Sequence, residues 1–153
     1  MRKLLFLTLI LISLVAGAVT HEITVMGAEL ITVEGPGAAS ANRQPEIMSA
    51  ELYNRQSNIE NIYNEYIALD PSISGDIEVM FTLEPDSTVS GCIVLSNTTG
   101  NEEFGRAIAE RIKLWVFTPM IEEAEYYGWV TITMPYSFTG IEEATVETPT
   151  ETP

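Results

Sequence analysis

At Asp70-Pro71 the hydrophobic period of this chain switches from helical to alternating, and a second such switch follows downstream. A chain that does this twice needs a helix layer and a sheet layer sharing one core. Before the first switch, Leu52, Ile59, Ile62, Tyr63, Tyr66 and Ile67 recur at three- and four-residue steps. They lay one apolar stripe along a helix spanning Ser49 to Leu69. Ser57-Asn58-Ile59-Glu60 fits a capping box, so that helix runs through this point, or starts or breaks there. Asp70 precedes a proline and is pushed out of the α region, which ends the helix. Beyond it, Ile77, Val79, Phe81 and Leu83 alternate with Asp76, Glu78, Met80 and Thr82, the pattern of a strand with one wet face. "EPDST" supplies turn residues, and Val89, Ile93 and Leu95 continue the alternation on a return strand. That parity puts Gly91 inward, where it would let the helix layer approach, and Cys92 outward.

Asn101 caps a second helix, with Glu102 and Glu103 at the positive end of its dipole. Phe104, Ala107, Ile108 and Ile112 form its buried stripe, Arg106, Glu110, Arg111 and Lys113 face outward, and it ends near Leu114. Trp115 and Phe117 then sit two apart ahead of Pro119. That spacing suits an extended exit whose alternate side chains both enter the core, so the pair marks a junction between layers rather than a stacking platform. A last strand runs from Tyr127 to Phe138, with Val130, Ile132, Met134, Tyr136 and Phe138 on one parity. Pro135 has no N–H for a ladder, so this is an edge strand or frays there. The predicted fold is α+β: a two-layer sandwich in the order helix, strand, strand, helix, strand, with a small antiparallel sheet.

The ends read differently. Arg2 and Lys3, the run "LLFLTLILISLVAGA" and Ala16-Gly17-Ala18 have the layout of a secretory signal peptide over residues 1–18, cleaved after Ala18. The alternative is an uncleaved inner-membrane anchor, but Leu4 to Val19 is only 16 residues, against about 20 needed to span the hydrocarbon. Residues 19–45 form an N-terminal segment and linker. Ile23 to Val33 either pairs as an extra strand or stays loose, and the Gly/Ala/Ser/Asn/Pro-rich remainder reads as a flexible tether. The foldable domain spans 46–139, and 140–153 is an acidic Thr/Pro tail with too few apolar residues to pack.

With the leader removed, 22 acidic residues against five basic ones leave a charge of −17. Such a surface repels phosphate backbones and excludes nucleic acid as a partner. Cys92 is the sole cysteine, so no disulfide forms within the chain. His21, the sole histidine, lies in the unpatterned N-terminal stretch and reads as solvated, without the packed cleft that a triad or metal site needs. Glu122, Glu123 and Glu125 lack the spacing of a calcium loop. Asn97-Thr98-Thr99 matches a glycosylation sequon. No metal, cofactor, small-molecule substrate or enzymatic activity is expected from this inventory.

"DPSISGDIEVMFTLEPDSTVSGCIVLSN", "FGRAIAERIKLWVFTP" and "VTITMPYSF", taken in that order, resemble the periplasmic C-terminal domain of the energy transducer TonB, and more closely the AgmX/PglI C-terminal branch of that superfamily. The resemblance covers residues 46–139. It rests on Gly75, on Phe81-Thr82-Leu83, on Ser96, on Trp115 and Phe117 followed by Pro119, and on Pro135, Tyr136 and Phe138. The chain departs from it where Ile62 and Ala107 stand at the branch's usual cysteines and Ser87 at its hairpin glycine, and it has no long Pro-rich spacer. The resemblance implies a partner-binding domain exported by itself, periplasmic or secreted. Its partner would be an envelope or outer-membrane protein or peptide, added as a strand along Trp129, Val130, Thr131, Ile132, Thr133, Met134 and Ser137. Either that edge is free for a partner, or residues 23–33 cover it within the chain. The alternative function is a self-associating structural or assembly protein of the envelope or gliding machinery, a homodimer in its simplest form.

Overall fold

A computed structural model of the chain describes residues 19–25, 30–120 and 127–142, with 19–25 and 140–142 as backbone only. Its elements are β1 (Val19–Val25), β2 (Thr32–Glu34), a 3₁₀ turn (Ala41–Arg43), α1 (Pro45–Tyr53), α2 (Gln56–Ile67), β3 (Gly75–Leu83), β4 (Val89–Asn97), α3 (Glu102–Ile112) and β5 (Val130–Glu142). The class is α+β, with the strands in one antiparallel sheet ordered β1-β5-β3-β4 and β2 also paired to β5.

The first helix begins earlier than its apolar stripe and is broken. Pro45 opens α1, where a missing N–H costs nothing. The break comes at Asn54-Arg55 for a specific reason. The Arg55 guanidinium donates to the Glu51 carbonyl at 2.6 Å, the acceptor that the Arg55 N–H would use in a continuous helix. That N–H turns to Leu52 O instead, at 2.9 Å. The break therefore lies just before Ser57, and α2 is capped by Arg55 with no side-chain bond, so the capping box does not form. α3 begins as expected, with the Asn101 side chain accepting from the Phe104 N–H at 2.9 Å.

The inward faces of β3 (Ile77, Val79, Phe81, Leu83) and β5 (Val130, Ile132, Met134, Tyr136, Phe138) form one core with Met48, Leu52, Ile59, Ile62, Phe104 and Ile108 from the helices. Tyr63 joins the two layers: its ring lies 4.9 Å from Phe138 and 5.7 Å from Phe104, and its hydroxyl donates to Ile73 O at 2.9 Å. Trp115 and Phe117 belong to this core, 5% and 3% exposed, and Phe117 stacks on Phe81 at 5.8 Å. Burial closes the stacking-platform reading of that pair.

The extended segment 115–120 is held on two sides. Toward the hairpin turn, the Phe117 N–H donates to Ser87 O at 2.9 Å and the Met120 N–H to Pro85 O at 3.0 Å. On its other side, side chains replace a neighbouring strand. Arg55 donates to Val116 O, Arg43 to Thr118 O and Asn42 to Pro119 O, while Glu51 accepts from the Thr118 N–H. The Arg55 guanidinium also lies 4.2 Å over the Phe117 ring. Residues 35–45 are thus no tether: Arg43 is buried with its guanidinium on Thr118 O, and Ser40 is buried as well. Gly37 seals the junction, since a Cβ there would lie 2.3 Å from Gly128 O and 2.5 Å from the Met120 methyl.

β4 departs from the expected parity. Its pairing with β3 steps from Ser96 to Val94 and from Gly91 to Val89, so Leu95 and Ser90 are extra residues in two bulges. Each bulge shifts the register of faces by one. Cys92 consequently turns inward at 7% exposure, while Ile93 and Leu95 face solvent at 52% and 46%. Gly91 meets open space rather than a helix, since a Cβ there would find nothing within 4 Å. Among the described residues no helix is long and apolar enough to cross a membrane. The leader (1–18), the tail beyond 142 and Glu122, Glu123 and Glu125 lie outside those residues.

Candidate functional site

The site expected on the last strand is not open. β5 pairs along Val130–Phe138 with β3 on one side. On the other, Thr131, Ile132 and Thr133 face Glu34, Val33 and Thr32, and residues 136–142 face β1. The N-terminal segment covers the edge, as the second of the two sequence alternatives had it. Ser137 lies opposite Thr24 and Asp76, and its hydroxyl donates to the Asp76 carboxylate. Val130, Ile132 and Met134 are core residues, and Trp129, 46% exposed, abuts Gly35 at the sheet's end. The change from β2 to β1 falls opposite Met134 and Pro135, so the missing proline N–H marks a gap between two covering strands rather than a free edge.

β4 ends the sheet on one side, paired to β3 alone, as β1 and β2 end it on the other. Beyond a single bridge between Thr88 and Val116, no described residue pairs with its outer side. Its nine residues, "VSGCIVLSN", contain no charge and no proline. Edges are usually protected by one or the other, because their unpaired N–H and C=O groups are a template for another strand. Here protection consists of the two bulges, and between them Gly91–Val94 keeps a regular register.

α3 runs back along β4 after a short turn. Gly105 makes the approach possible, since a Cβ there would lie 2.7 Å from the Asn97 amide nitrogen. Asn97 is fixed in turn, donating to Asn101 O at 2.9 Å and accepting from Thr99. A groove of about 340 Å³ remains between strand and helix, with Cys92, Ile93, Val94 and Asn97 on one wall and Glu102, Arg106, Ala109 and Glu110 on the other. Arg106 is ion-paired to Glu103, and Lys113 to Glu110 at 2.6 Å. Burial pushes the Cys92 thiol up to about 11, opposed by Lys113 and reinforced by Glu110. The thiol is therefore protonated and a poor nucleophile at neutral pH.

The described residues contain no group of three or more metal-binding side chains. His21 pairs with Gly140 through the β1 backbone. Sequence parity missed the inward turn of Cys92 because bulges leave no mark in hydrophobic alternation, and it missed the β4 edge because strand order is set by the assembled sheet, though β4's lack of charge was readable. Comparison with family models, curated proteins and solved structures finds no match to this chain.

Proposed function

We propose that the chain is a non-enzymatic, exported interaction module of the TonB C-terminal kind, which takes up an extended segment of an envelope or outer-membrane protein as a further strand on β4. The observation that carries this reading is the uncharged, unpaired β4 edge lying beside a groove. The site of addition moves from β5 to β4, because β1 and β2 occupy the β5 edge. Its acidity favours a neutral or basic partner and disfavours nucleic acid.

Photo-crosslinking in the native envelope tests it. A photoreactive residue in place of the exposed Ile93 is expected to trap a partner, whereas one in place of Thr131 is not. Adducts at Thr131 alone, or at neither position, would reject the β4 assignment. An adduct between two copies through Ile93 would favour the self-assembly function instead.

A further inference from the structure

Main-chain pairing accepts almost any extended segment, so selectivity comes from the side chains beside the edge. Resting on the strand-addition reading, we infer that the β4–α3 groove selects a segment of the form basic-x-aliphatic-x-basic. Three features define that pattern. The floor is apolar and closed, made by Cys92, Val94 and the Ala109 methyl, with Cys92 and Ala109 only 7% and 6% exposed. It matches one aliphatic side chain better than a polar one, since the polar lining residues Asn97 and Arg106 are already hydrogen-bonded or ion-paired.

The rim is acidic at both ends. Glu102 has no ion pair among the described residues, Glu110 shares its charge with the exposed Lys113, and Arg106, which lines the groove between them, has its charge offset by Glu103. Spacing supplies the third feature. Glu102 and Glu110 are eight residues apart on α3, roughly 12 Å along a helix, and four steps of strand cover about 13 Å. Residues two before and two after a central one point to the same face as it does. A bound strand that seats an aliphatic residue over Cys92 and Val94 therefore presents its flanking residues to the two carboxylates. The bulges at Ser90 and Leu95 confine regular pairing to a short stretch, which matches a motif of this length.

A second copy of the chain is the weaker occupant, because its own β4 has no basic residue and its acidic rim would face this one. The probe is a synthetic Thr-Arg-Thr-Leu-Thr-Arg-Thr peptide, compared with versions carrying Glu for Arg or Ser for Leu. The readout is the amide shifts of the full chain. The Arg/Leu peptide is expected to shift residues 91–97 and 102–110. The Glu version should bind about fivefold to tenfold more weakly at low salt, and the Ser version should bind more weakly at any salt. Glu102→Gln, at an exposed rim position, should reduce the preference for Arg over Glu without abolishing the shifts. Equal binding of all three peptides at β4 would overturn the selectivity and leave strand addition standing. An absence of β4 shifts with every peptide would remove strand addition itself, and concentration-dependent shifts without peptide would assign the edge to a second copy.

Discussion

Trp115 packs edge-on to Phe81 at 6.5 Å and donates its indole N–H to Asn58 at 3.2 Å. Trp115→Ala should cost about 3–5 kcal/mol through the cavity it leaves, measured by urea unfolding. A near-neutral result would mean that the ring serves something other than packing. Ser87 is a second residue-scale case, sitting at φ +83 in the hairpin turn that receives the Phe117 N–H. Ser87→Gly should raise stability by roughly 0.5–1 kcal/mol, the left-handed strain relieved less the added freedom of the unfolded glycine. Cys92 sets the alkaline limit. Its folded pKa lies above the ordinary thiol value of 9.0, so its contribution is full below 9 and is lost as pH rises toward 11. The loss should be about 1.4 kcal/mol per pH unit across that window. Buried Tyr136, whose hydroxyl is also raised by burial and by Cys92, adds to the same decline. Stability measured against pH should fall above 9, and less steeply in Cys92→Ala. The burial of Trp115 was legible from its spacing to Phe117, whereas that of Cys92 was not, because it depends on the bulge at Ser90.

Elements carry most of what periodicity can reveal. The buried stripes of α2, α3, β3 and β5 follow from residue spacing alone, since each keeps a constant phase from end to end. Phase breaks are what spacing hides. α1 and α2 separate where a guanidinium takes a helical carbonyl, and β4 changes face twice. Likewise the pairing of residues 32–34 with β5 joins segments about 100 positions apart, and local pattern cannot rank such partners. Removing residues 1–35 should uncover the β5 edge, cost at least about 2 kcal/mol through loss of buried Ile31 alone, and produce concentration-dependent association on sedimentation. A truncated chain that remains a stable monomer would show that β1 and β2 are not needed as cover.

At the scale of the molecule, the sheet has two unlike margins. On one, β1 and β2 close the strand that sequence pattern marked as open; on the other, β4 ends the sheet without a charge or a proline. The proposed site was half legible in the sequence: the proposal of strand addition in an acidic setting came from composition and resemblance. Its location depended on which strand lies in the middle, a property of the assembled sheet alone. Amide hydrogen exchange, followed residue by residue in the free chain and with the Arg/Leu peptide, examines that location directly. β5 should be protected on both sides throughout, and the outward amides of Gly91–Val94 should exchange quickly until peptide slows them. Uniform protection of β4 in the free chain, or peptide-induced protection on β5 instead, would contradict the assignment of the open edge to β4.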